Sequence, residues 1–175
     1  MKLLITGSPG IGKTTLLKEI IEQAGNISFA GFYTQEIRDH RGKREGFQIV
    51  SLDGVTDIFA SVHYKTLKRV SKYGVDIKKF ESVAIPSLQK GIEEGQFLVI
   101  DEIGKMELFS KKFKQLLVDI FRRKYLNLIG VVMRYPNRFV KELIEKPDVE
   151  VFNLTRANYK EIPKEILGKI LRENL

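Results

Sequence analysis

One segment constrains this chain more than any other. Gly7-Ser8-Pro9-Gly10-Ile11-Gly12-Lys13-Thr14 satisfies G-x-x-x-x-G-K-[ST] at every fixed position. It follows an apolar run, Leu3–Thr6, and precedes a stretch where Leu16, Leu17, Ile20, Ile21 and Ala24 recur at three- and four-residue spacing. Gly25-Asn26 then supplies an end signal, so the pattern predicts strand, glycine loop, helix. The glycines let the backbone bend around phosphate oxygens with N–H groups pointing inward, and the helix adds its positive end. Lys13 is placed to reach β- and γ-phosphates, and the Thr14 hydroxyl to ligate Mg²⁺. A turn that merely joined strand to helix would need neither a lysine nor a hydroxyl after its last glycine. Gly7 through Thr14, with Thr15 beside them, are the expected nucleotide-binding residues, namely Gly7, Ser8, Pro9, Gly10, Ile11, Gly12, Lys13, Thr14 and Thr15.

The same alternation returns along the chain. Phe97–Ile100, residues 128–133 and Val149–Leu154 read as strands, the first an unbroken apolar run suited to burial on both faces. Between and after them, residues 113–121, 139–144 and 166–171 carry helical spacing. The fold class expected is therefore α/β, a mostly parallel sheet flanked by helices. Residues 27–63 differ: strand-like pieces joined by polar turns at Arg38–Lys43 and Asp53-Gly54 predict an antiparallel β meander inserted after the first βα unit. Pro86 interrupts the apolar spacing of residues 76–94, which predicts two helical pieces or a proline in the first turn of the second. At 175 residues, a single domain spanning 1–175 is expected.

Composition removes several classes of chemistry. With no cysteine there is no disulfide framework and no thiolate nucleophile, and His40 and His63 alone cannot build a multi-histidine metal site. No apolar run approaches the ~20 residues of a membrane span, and the chain starts directly on a strand-like stretch, so a cytoplasmic protein with no membrane partner is expected. The net charge of +8 suits anionic partners. Lys111, Lys112 and Lys114, and Arg122, Arg123 and Lys124, could meet nucleic-acid phosphates, but a solvated helix face explains them, so nucleic acid stays open without being favoured. A monomer is the expectation.

A second acidic element follows the strand at Phe97. Asp101 is assigned to Mg²⁺, mainly through coordinated water and a bond to Thr14. Glu102, on alternating extended backbone, should point the other way, toward the γ-phosphate, and polarise the attacking water. Gly104 would allow a close turn there, while Lys105 and Glu107 either support the catalytic region or lie on the surface. Arg134 and Arg156, each just after a strand, are candidates to stabilise transition-state charge, with Arg138 farther into the next helix. Asn158 contacts nucleotide or, more simply, caps a turn. Phe29, Phe32, Tyr33, Phe47 and Phe59 would form a base-stacking wall or, more simply, a secondary core, leaving Thr34, Glu36 and Arg38 as polar edge groups.

Three segments together resemble one family. They are Thr6–Thr14, Gly31-Phe-Tyr-Thr-Gln-Glu-Ile-Arg38 and Leu98-Val-Ile-Asp-Glu-Ile-Gly-Lys-Met-Glu107, with further matches at Arg44–Phe47, Lys72-Tyr73 and Asn153–Asn158. They are similar to the small nucleoside-triphosphatase family known from thermophiles, which includes the human cancer-related nucleoside triphosphatase. The resemblance extends over nearly the whole chain and implies a RecA-like core and Mg²⁺-dependent cleavage of ATP, GTP, CTP and UTP to diphosphates with broad base tolerance. It carries Lys13 and Thr14 onto phosphate and metal roles and Glu102 onto water activation. One departure is Ser71, where relatives are expected to have glycine. Two other readings stand beside hydrolysis. One is a small-molecule or nucleotide kinase, which would need an acceptor pocket that excludes water; the other is a nucleotide-gated interaction module.

Overall fold

Lys2–Gly7 form strand β1, paired parallel with β8 (Leu128–Val132) on one side and β9 (Val149–Leu154) on the other. The computed structural model describes residues 1–173. Next to β8 lies β7 (Phe97–Ile103), and next to β7 lies β2 (Phe29–Arg38), both again parallel. Beyond β2 the sheet continues antiparallel through β3 (Arg44–Ser51) and β4 (Thr56–Ser61), then through β6 (Tyr73–Val75) to β5 (Arg69–Val70). The order is β5-β6-β4-β3-β2-β7-β8-β1-β9, one nine-stranded sheet.

Strand alternation sends successive residues of β1 to opposite faces, and the helices cover both. Leu3 and Ile5 join Leu16, Leu17 and Ile20 of α1 (Lys13–Gln23) and Ile166 and Ile170 of α5 (Ile162–Glu173). Leu4 joins the opposite core, with Phe80 of α2 (Ile77–Glu93), Phe113 and Leu117 of α3 (Lys111–Arg122) and Val140 of α4 (Arg138–Ile144). Each such side chain, once fully buried, contributes roughly 1.5–3 kcal/mol. Among the described residues no helix is long and apolar enough to cross a membrane.

Two expectations change. The segment expected as an insertion over residues 27–63 begins inside the parallel sheet, since Phe29–Phe32 pair with Phe97–Ile100. Its antiparallel part extends that same sheet and runs on to Val75. Phe32 is paired on both sides, with Ile100 and with Ser51, and next to it Gly31 has φ of +127°, where an added Cβ would stand 2.0 Å from the Val99 carbonyl oxygen. Ser87 of α2 secures this point, its hydroxyl donating to Gly31 O at 2.7 Å and accepting from Gly31 N at 3.1 Å. Residues 77–93 form one helix rather than two pieces, with Pro86 inside it. Pro86 and Ser82, whose carbonyl loses a donor, are both exposed, so water can serve that carbonyl while Phe80, Val83, Ala84 and Leu88 anchor the other face.

Candidate active site

The phosphate loop joins the C-terminal end of β1 to α1. Gly12 caps α1 with φ of +99°, no side chain caps the helix, and its first turn holds no acid, so its positive end faces the loop uncompensated. Lys13 Nζ donates to the carbonyls of Gly7 and Ser8, both at 3.1 Å. Pro9, Gly10, Gly12, Lys13, Thr14 and Thr15 line a cavity of about 750 Å³ together with Asp101 and Glu102. Gly7 is buried beneath the loop, while Ser8 and Ile11 face a second cavity.

The acidic pair sits at the end of β7, where pairing with β8 slips and two residues between Ile100 and Ile103, Asp101 and Glu102, oppose Val131 alone. The peptide bond between Asp101 and Glu102 is cis. At this bulge both carboxylates line the one cavity. Asp101 is 2% exposed. It accepts from the Thr34 N–H at 3.5 Å, and the Thr14 side chain lines the same cavity beside it. Burial pushes its pKa up to about 6, opposed by the Thr14 side chain and the Lys13 charge. Burial also raises Glu102, with Lys13 pulling the other way.

A third carboxylate joins them. Glu107 opens a 3-10 turn, Glu107–Phe109, and is buried, while Lys105 is exposed. Gly104 leaves room for two acids, since a Cβ there would stand 2.8 Å from Glu107 Oε2 and 3.2 Å from Glu102 Oε1. Burial, then the neighbouring Glu102 charge, pushes Glu107 up to about 8.

The two arginines separate. Arg134 Nη1 donates to Ser8 Oγ at 2.8 Å, which holds it at the rim of the phosphate loop. Arg156 lies away from Lys13 and Glu102, in the second cavity of about 600 Å³ on the β9 side of the loop. Arg134, Asn153, Thr155 and Tyr159 share that cavity. Arg138 pairs with Glu142 at 3.0 Å on the surface of α4. Asn158 caps its turn, accepting from Thr155 N at 2.7 Å and donating to Asn153 O at 2.9 Å. His40 is exposed, and His63, also exposed, faces Glu45 at 3.6 Å.

The aromatic group divides as well. Phe32 and Phe59 are core, Tyr33 lies under the Lys18 ammonium at 3.7 Å, and half-buried Phe47 lines the phosphate cavity. Thr34, Glu36 and Arg38 also line it, as do Gln35 and Arg44, which residue-level reasoning did not single out as site residues. Arg44 opens one of the segments that carried the resemblance, and Tyr159, packed over Gly12, follows another; those were the only signals for them.

Residues 2–167 match the family model described as NTPase. The chain is 40% identical over 179 residues to nucleoside-triphosphatase THEP1 of Aquifex aeolicus, covering 98% of this chain and 100% of that one. It is 36% identical over 182 residues to the cancer-related nucleoside-triphosphatase homolog of Mus musculus, covering 96% and 95%. The crystal structure of Aquifex aeolicus THEP1 superposes with a TM-score of 0.89 at 39% identity, over 97% and 99% of the two chains. For the solution structure of a human cancer-related nucleoside triphosphatase the TM-score is 0.82 at 32% identity, over 98% and 97%. A phosphate loop facing a buried acidic pair, on this sheet and with these relatives, places the chain in the THEP1 family as a nucleoside-triphosphatase.

Proposed function

We propose that the protein hydrolyses nucleoside triphosphates, ATP, GTP, CTP and UTP alike, to diphosphate and phosphate with Mg²⁺. The observation that carries this reading is the single cavity in which Lys13, Thr14, Asp101 and Glu102 meet. Loop N–H groups, the α1 N-terminus and Lys13 bind the β- and γ-phosphates. The donors suit a hard cation, being the Thr14 hydroxyl and the Asp101 carboxylate that line the same cavity. Among the described residues no three His, Cys, Asp or Glu side chains form a metal cage. Bound there, Mg²⁺ would neutralise charge developing on the phosphates.

Glu102 orients a water toward the γ-phosphorus and accepts its proton; burial raises its basicity toward that task. Arg134, tethered to Ser8, can move over the transferring phosphoryl group. Arg156 serves better on the β9 side, where with Tyr159 it forms a platform on which bases of any kind can stack. That arrangement supports broad base tolerance.

The test is steady-state turnover of the four nucleotides with Mg²⁺ and after chelation. Turnover of all four, abolished by chelation, with ATP and UTP each inhibiting hydrolysis of the other, is the expected result. Failure of mutual inhibition between two good substrates would refute the single site.

A further inference from the structure

Beside Glu102 the structure holds another chamber, of about 370 Å³, unlike the phosphate cavity in character. Its walls are apolar: Phe47 from β3, Val70 from β5, Met106, and Met133 and Tyr135 after β8. Buried Glu107 and Met133 and half-buried Glu102 form its inner end, while Lys105, Arg134 and Tyr135 are exposed at its mouth. Glu102 lines both cavities, so one carboxylate faces the triphosphate on one side and an apolar chamber on the other.

Attack by water needs no such chamber. Its volume and its apolar lining with a few convergent polar groups are those of a small-molecule site, which typically spans about 300–1,000 Å³. Glu102 at its inner end can accept a hydrogen bond from a neutral hydroxyl placed there. The apolar walls favour an aliphatic or aromatic body.

We propose that this chamber binds a neutral, apolar alcohol and that the enzyme transfers the γ-phosphoryl group to its hydroxyl. The proposal rests on the placement of the γ-phosphate beside Glu102 argued above. In the step, the alcohol oxygen forms a bond to the γ-phosphorus while the bond from that phosphorus to the β,γ-bridging oxygen breaks. The bridging electron pair stays on the β-phosphate of the leaving diphosphate, and Glu102 takes the hydroxyl proton. The products are a phosphomonoester, a nucleoside diphosphate and a proton, with no change of oxidation state.

Benzyl alcohol is the probe, and phosphorus NMR separates its phosphate ester from inorganic phosphate. At about 50 mM alcohol against about 55 M water, unassisted competition would give roughly one ester per thousand turnovers, whereas a bound alcohol beside the γ-phosphate should take roughly a tenth or more. Val70→Trp fills the chamber from the edge strand and should lower the ester-to-phosphate ratio at least about tenfold. An ester fraction no greater than the alcohol-to-water ratio overturns the proposal, as does a ratio that Val70→Trp leaves unchanged.

A protein that turns over no nucleotide at all would instead remove the hydrolytic reading, and the chamber is then judged by binding. The chain has three methionines, of which Met106 and Met133 line the chamber and Met1 does not. Benzyl alcohol should shift the methyl resonances of Met106 and Met133 and leave Met1 in place; unshifted Met106 and Met133 overturn the proposal.

Discussion

The parallel and antiparallel halves of the sheet are made differently. In β1, β7 and β8 nearly every residue is buried, and both faces carry core. In β3 and the first half of β4, buried positions are interspersed with half-buried and exposed ones, and charge pairs cross the surface. Glu36 binds both Arg38 and Arg44, and Lys79 binds Asp57 at 3.2 Å. Lys13, Thr14, Asp101 and Glu102 all stand at the C-terminal ends of β1 and β7 or just beyond, where open parallel sheets gather their ligands. The antiparallel ribbon adds one wall: Thr34, Gln35, Arg44 and Phe47. Chemistry is thus fixed by a framework that tolerates little change, and the wall by one that tolerates more.

The comparison breaks most visibly at Glu102. Glu102→Gln should slow single-turnover hydrolysis by roughly 10²–10⁴-fold while direct binding of nucleotide persists. Lys13→Ala, by contrast, should lose binding and turnover together. Near-normal hydrolysis by a folded Glu102→Gln protein would detach catalysis from the end of β7.

Next in size is Gly31→Ala, at the junction of the two halves. A Cβ 2.0 Å from a backbone oxygen cannot be absorbed by a side-chain rotation. We expect a loss of about 3 kcal/mol or more in urea unfolding. A loss under about 1 kcal/mol would show that the junction yields.

Stability should also follow the acids. Between the ordinary 4.5 of Glu107 and its folded value of about 8, the folded chain holds a proton that the unfolded chain has released. Stability therefore falls as pH rises through that window, by up to about 1.4 kcal/mol per unit. Asp101, raised from 3.8 to about 6, acts in the same direction over the lower part of it. Glu107→Gln should flatten the decline above pH 6 in denaturation followed by pH; an unchanged slope would remove Glu107 from the cause.

The ribbon should answer more softly. Arg44 donates to the Tyr73 hydroxyl at 3.0 Å and lines the phosphate cavity. Arg44→Ala should raise KM roughly 2–5-fold with kcat nearly held, the scale of a partly exposed charge contact. Smallest of all is Ser71→Gly. Ser71 has φ of +54°, the one positive value outside glycine among the described residues. Relief of that conformation, offset by a looser unfolded chain, should stabilise by less than about 1 kcal/mol. A larger change at either position would mean that the ribbon is as tightly determined as the parallel half.

What could be read in advance follows the same division. The phosphate loop and Asp101 were legible because their chemistry is written in contiguous residues that also form a strand end and a helix start. At position 71, where relatives are expected to have glycine, this chain holds a serine in the left-handed region that favours glycine. Pro86 misled, because a local rule about a missing N–H lost to a helix face anchored on the sheet. Asp101 and Glu102 share one cavity and Glu102 alone of the two also borders the second chamber, an arrangement that depends on how β7 meets β8 and not on either residue. The burial of Glu107 was hidden for a related reason, since a 3-10 turn folds it back beneath Gly104. Arg44 and Phe47 reach the cavity only through the register of β3 on β2, which no local spacing encodes.

Lys13 clasps the carbonyls of Gly7 and Ser8, so its ammonium has acceptors within its own loop. An entering phosphate therefore exchanges partners with a lysine already held in place, and the net gain is the difference between two sets of oxygens rather than the full strength of an ion pair. In the proposed reaction the same clasp would give the departing diphosphate a competitor at the moment of exit. A loop that can satisfy its own cation trades tenacity for turnover, a bargain suited to an enzyme that must release each product before it meets the next substrate.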